Sequence, residues 1–186
     1  MINGKQINTN YQQNGKTCVL SSYAIVNNFY TKIPIDDIFR DYCKHFNLQD
    51  KINTSTRYDK HFHTYIDSKK ITGYDCITDL HNNSRFNSFK NSRKIFKIIQ
   101  YDSATKNSNE IENILINNEA LLNLTFQHSQ GHHSITMYLD ENDNLFKVRD
   151  TEMKILYTGT KFEDIINIIT LENAIKVCDA NLYDKI

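Results

Sequence analysis

The sequence predicts an α+β fold, with helices first and an antiparallel sheet later, in a single domain covering residues 1–186. Two observations predict the class and a third the single domain. Apolar residues recur at helical spacing near the N-terminus, whereas beyond residue 94 short alternating or wholly apolar runs take over. A chain of 186 residues can bury one core, is short for two, and here contains no internal repeat.

The first helix is expected to begin at Cys18 with Thr17 as its N-cap, because Val19, Tyr23, Val26 and Tyr30 share a face with Leu20 and Ala24 beside them. Pro34 opens a second helix in IPIDDIFRDYCKHF. Its apolar stripe is Ile35, Ile38, Phe39, Tyr42 and Phe46, and Asp36 and Asp37 suit its first turn. Cys43 lies beside that stripe as a small core residue. Residues 47–92 are polar, with short helical candidates around His61–Lys69 and Tyr74–Leu80. KIFKIIQY then reads as a strand, SNEIENILINN as a capped amphipathic helix and ALLNLTF as a buried strand. The loop QHSQG leads into HSITMYLDENDNLFKVRD, two alternating strands joined by a tight turn. KILYTGT adds a strand, and the helix KFEDIINIITLENAIK is expected to finish the fold.

Composition excludes more than it names. The 22 Lys and Arg balance 22 Asp and Glu, so no net field draws the chain to nucleic acid or to a membrane, and no partner of either kind is expected. Charge is nevertheless uneven: Lys51 to Lys97 holds ten basic residues against four acidic, net +6, which reads first as a solvated face. The opening MINGKQINTNYQQ has no apolar run or basic n-region, and no stretch reaches the length of a membrane span, so a cytoplasmic location is expected. Cys18, Cys43, Cys76 and Cys178 are widely separated without a CxxC, which predicts reduced thiols and neither a metal nor another cofactor.

Chemistry concentrates at Cys18. A cysteine in the first turn of a helix has its thiolate favoured by free backbone N–H groups and by the positive end of the macrodipole. Gln12, six residues earlier in NYQQNGK, could return beside the Cys18 N–H as a second oxyanion donor, with Gln13 as the alternative. Cysteine catalysis also needs an imidazole and a group to orient it. His133 opens a strand on which Ile135, Met137 and Leu139 share its parity; Asp150 ends the next strand in parity with Phe146 and Val148, so a hairpin would bring the two together. His132 is the alternative base, although its parity mates Ser134, Thr136 and Tyr138 are more polar. His128, His132 and His133 do not share a helix face that would suit a metal, and His61 and His63 read as solvated. Cys76 and Cys178 lack a histidine partner and are assigned no chemistry.

The run YQQNGKTCVLSSYAIVNNFY resembles the Gln-x5-Cys segment and central helix of papain-like cysteine peptidases, particularly the bacterial double-glycine leader peptidase-like branch. NEIENILINNEALLNLTFQHSQGHHSITMYLDENDNLFKVRDTE is similar to that branch's helix, strand, Gly-His strand and Asp strand in the same order. The likeness covers residues 10–30 and 108–168; Val19 stands where the family usually has glycine, and the histidine is doubled. It implies a nucleophile helix in an N-terminal helical half packed on a C-terminal antiparallel sheet. It also implies Cys18 as nucleophile, Gln12 as oxyanion donor, His133 as general base and Asp150 as its orienter, acting on a peptide or protein substrate. The same residues would serve acyl transfer to an amine, or persist in a binding module without chemistry.

Overall fold

The computed structural model describes residues 2, 4–48, 57–71, 73, 75–76, 96–128, 131–152, 157–173 and 176–185, and the side chains of all of these except 96, 128 and 171–179. Helix α1 (Cys18–Thr31) is buried without a break from Val19 to Asn27, far beyond the single stripe expected of it. Its polar positions there are the small Ser21 and Ser22 and the buried Asn27, so the helix can be covered on nearly all sides. It begins at Cys18 as expected, but Thr17 does not cap it: the Thr17 hydroxyl turns back and donates to the Asn14 carbonyl (3.0 Å). Lys32 ends the helix in the left-handed conformation, φ 65°, and its N–H donates to Asn28.

Helix α2 (Ile35–His45) buries Ile35, Ile38, Phe39, Tyr42 and Cys43, and Phe46 packs half-buried just past its end. Helix α3 (Tyr58–Lys69) starts earlier than the sequence indicates, because the face it buries, Asp59, Phe62 and Ile66, opens with an aspartate. The helix expected over Tyr74–Leu80 falls largely outside the described residues.

Among the described residues six strands follow: β1 (Phe96–Tyr101), β2 (Ala120–His128), β3 (Gly131–Asp140), β4 (Leu145–Arg149), β5 (Thr158–Gly159) and β6 (Lys176–Lys185). They form one sheet in the order β1-β6-β2-β3-β4-β5, antiparallel at every pairing. Helices α4 (Ser108–Asn117) and α5 (Phe162–Asn173) lie between strands in the chain. The fold is therefore α+β, as the sequence predicts.

The chain does not finish on a helix. Helix α5 stops at Asn173, and Lys176–Lys185 becomes an interior strand between β1 and β2. Charges in KVCDANLYDK hide it from a hydrophobic reading, yet Ala180 and Leu182 face one core, Tyr183 the other, and the buried Asp184 is paired with Lys97 (3.1 Å). KILYTGT yields only the two-residue β5, with 153–156 outside the described residues.

Both faces of the sheet are covered. Leu121, Tyr138 and Tyr183 join the core of α1, α2 and α3, whereas Leu122, Leu124, Ile135, Met137, Val148 and Leu182 join the core containing Ile111 and Leu115 of α4 and Phe162, Ile165 and Ile169 of α5. A strand buried on both sides reads as a continuous apolar run, which is why ALLNLTF lacks alternation.

Helix α1 is pinned along β3. The Ser22 hydroxyl donates to the Ser134 carbonyl (3.1 Å). Four residues of helix and two of strand advance by nearly the same distance, about 6 Å, so Cys18, one turn before Ser22, meets β3 at His132. Among the described residues no helix is long and apolar enough to cross a membrane.

Candidate active site

Cys18 is half-buried at the first turn of α1, and its thiol donates to the His132 carbonyl (3.7 Å). Residues 132 and 133 are placed differently: His132 is exposed, whereas His133 is buried and stacks edge-on against its cross-strand neighbour Phe126, with ring centroids 5.4 Å apart.

The hairpin does what strand parity predicts. The register pairs Thr136 with Arg149 and Met137 with Val148, so Asp150 extends β4 on the face of Phe146 and Val148, diagonal to His133. Nε2 of His133 lies 2.7 Å from Oδ2 of Asp150, with both side chains nearly enclosed (10% and 7% exposed). The second oxygen, Oδ1, accepts the backbone N–H of Glu152 (2.8 Å), so both oxygens of the carboxylate are engaged. The turn joining β3 to β4 is equally explicit: Asp140 accepts the Asn142 N–H at its side chain and the Asn144 N–H at its carbonyl, and Asn144 takes φ 56°.

Burial pulls the His133 pKa down. The hydrogen bonds with Asp150 and then Cys18, reinforced by their charges, more than offset that and raise it to about 10. Nε2 is engaged by Asp150, and the Glu152 carboxylate stands 3.3 Å from Nδ1. Cys43 has the opposite environment: burial, then the charges of Asp36 and Asp59, push its thiol up to about 12, and it lies against the Tyr58 carbonyl. Cys76 is a buried core residue, and the side chains of Cys178 and His128 lie outside those described.

The two glutamines are placed differently. Gln12 is exposed; its carbonyl accepts from Arg57 (2.8 Å), and its amide donates to no described residue. Gln13 is consumed by structure: its Nε2 donates to the Gly15 carbonyl (2.8 Å), its Oε1 accepts from the Thr151 hydroxyl (2.6 Å), and its N–H donates to the Thr151 carbonyl (3.1 Å). Neither is hydrogen-bonded to Cys18, and of the two Gln12 has the amide available to a ligand.

Residues 8–17 form a strap leading into Cys18, and the groups that hold it escape a reading by sequence. Buried Asp59 of α3 accepts from the Tyr11 hydroxyl (2.8 Å) and the Asn14 amide (3.0 Å) and pairs with Arg57. From the sheet, buried Arg149 donates to the carbonyls of Asn8, Tyr11 and Asp150. His63 is not simply solvated: its Nδ1 accepts the Lys16 N–H (3.0 Å), and its Nε2 faces Asp67 (3.4 Å). Part of the basic middle is thus the frame of the strap. The signal available in sequence was the helical spacing of Asp59 with Phe62 and Ile66.

Gly15 is the tightest point of that strap. Its φ is +62°, and a Cβ there would fall inside contact distance of the His63 ring. Gly15→Ala is expected to cost about 2–4 kcal/mol, combining left-handed strain with overpacking, read as a fall in the urea midpoint. His63→Ala should recover part of that loss, so the two substitutions should be less than additive; strict additivity would remove the clash from the explanation.

No protein-family model and no curated protein sequence matches this chain.

Proposed function

We propose that the chain is a papain-like cysteine hydrolase that cleaves an amide bond of a peptide substrate. One observation carries the reading: a buried His133–Asp150 pair at 2.7 Å, with His133 on the strand whose first residues meet the cysteine that opens α1. The helical layer packed on an antiparallel sheet agrees with the resemblance of residues 10–30 and 108–168 to the leader peptidase-like branch. A cytoplasmic setting belongs to the same reading and suits the free thiols of Cys18, Cys43 and Cys76.

In this mechanism Nδ1 of His133 takes the Cys18 thiol proton, the sulfur attacks the scissile carbonyl carbon, and the carbonyl electron pair moves onto oxygen. The Cys18 backbone N–H at the helix start, with Gln12 swung in from its exposed position, donates to that oxyanion. Collapse breaks the C–N bond as Nδ1–H of His133 protonates the departing amine, leaving a thioester on Cys18. Neutral His133 then takes a proton from water, hydroxide adds to the thioester, and the acid leaves as the thiol is restored. Asp150, accepting from Nε2–H, holds the tautomer and stabilises the imidazolium.

The test is mass spectrometry of a peptide library incubated with the protein. Cleavage is expected with the native chain and absent with Cys18→Ala and with His133→Ala; full turnover by both variants would end the proposal. Added amine in the same assay separates hydrolysis from acyl transfer, since transfer would place the amine on the new C-terminus.

A further inference from the structure

The two nitrogens of His133 face different company. Nε2 is committed to the buried Asp150, while Nδ1 has a second carboxylate, that of Glu152, at 3.3 Å with its side chain 58% exposed. Glu152 is placed by the site itself, because its backbone N–H donates to Oδ1 of Asp150 (2.8 Å). The carboxylate that orients the imidazole therefore also fixes the residue that carries the competing one.

A carboxylate at Nδ1 has two consequences. It stands beside the ring that Cys18 also engages, while the thiol donates to the His132 carbonyl. It also sets a negative charge, open to solvent, on the side where Nδ1–H must meet the departing amine. Among the described residues no lysine or arginine pairs with Glu152, so that charge is answered only by His133.

Resting on the cysteine-hydrolase reading, we infer that Glu152 is a specificity residue: it selects peptides with a positive charge just past the scissile amide, on the leaving-group side. Pairing with that lysine or arginine draws Glu152 away from the ring and leaves Nδ1–H to Cys18 and the departing amine. A neutral residue in the same place makes no such pair, and an acidic one is repelled by the carboxylate.

Charged methanethiosulfonates test this without a known substrate, since the Cys18 thiolate attacks the sulfenyl sulfur, forms a mixed disulfide and expels methanesulfinate. Rates for the aminoethyl, methyl and sulfonatoethyl reagents are followed at Cys18 by peptide mapping. The cationic-to-anionic rate ratio is expected to fall about tenfold in Glu152→Gln and to invert in Glu152→Lys, while Glu152→Asp keeps most of it. The neutral reagent should react faster with Glu152→Gln than with the native chain, because Nδ1 is released; a merely structural role would not raise it. An unchanged ratio in Glu152→Gln, with Cys18 still reacting faster than buried Cys43, overturns the inference and leaves the hydrolase reading standing. Cys18 no more reactive than Cys43 toward the neutral reagent overturns both.

Discussion

On the proposed cysteine-hydrolase reading, Asp150→Asn is expected to lower kcat/KM by about 10²–10⁴ and to move the alkaline limb of the pH profile downward. The carboxylate uses one oxygen for Nε2–H of His133 and the other for the N–H of Glu152. Asparagine has a single oxygen. If it serves Glu152, its NH2 faces Nε2 and forces the proton to Nδ1, the wrong tautomer to receive one from a thiol. The direction of the pH effect follows from the same contacts. Burial lowers the His133 pKa, and it reaches about 10 only because Asp150 and Cys18 offset that burial. Without the Asp150 charge only Cys18 opposes burial, so the limb should move down from about 10 toward the ordinary imidazole range. Stability carries the same sign. A histidine raised in the folded state contributes fully below the unfolded value, about 6.5, and loses that contribution as pH rises through about 10. The native chain should therefore lose stability between pH 6.5 and 10 by a margin that Asp150→Asn lacks. Urea unfolding across that window and the pH dependence of Cys18 alkylation measure the two effects; a limb unmoved by the substitution would remove Asp150 as the cause.

What could be read from the sequence was whatever repeats. Parity placed His133 with Ile135 and Met137, and Asp150 with Phe146 and Val148, because a strand has only two faces and the apolar residues declare which is buried. Helical spacing likewise located the start of α1, and with it Cys18. Two features stayed hidden for opposite reasons. Strand β6 is interior, yet its buried Asp184 and Asn181 break the hydrophobic signal; Lys97 and Asn118 satisfy Asp184 from elements distant in the chain. The strap 8–17 has no period at all: Asp59, Arg57, His63 and Arg149 hold it through single side-chain bonds that no local pattern encodes. Thr17 shows the limit of a local rule. It stands at the N-cap position, but its hydroxyl serves the strap through Asn14 instead of the helix.

Arg149→Met is expected to cost about 3 kcal/mol and to slow Cys18 alkylation while leaving the alkaline limb near its native position. Neighbours on a strand point to opposite faces, and this end of β4 uses both: Asp150 turns to His133, Arg149 to the strap. The guanidinium is buried and donates to three carbonyls, those of Asn8, Tyr11 and Asp150. Burial pulls its pKa down, with the charge of Asp150 working against that fall, so the group is kept in place by acceptors and one nearby carboxylate in place of water. Methionine fills similar space and donates nothing, which leaves those carbonyls to find water or go unpaired. Asp59 still grips Tyr11 and Asn14 from the other side, and Gln13 still joins Thr151, so the strap should loosen and not detach. The chain entering Cys18 then loses definition while the His133–Asp150 pair keeps its contacts. The two substitutions on adjacent residues should thus separate cleanly: Asp150→Asn shifts the limb, Arg149→Met lowers the urea midpoint and the alkylation rate. A native urea midpoint in Arg149→Met would show that the strap is held without it, and a shifted limb would show that base and strap are one unit and not two faces of a strand.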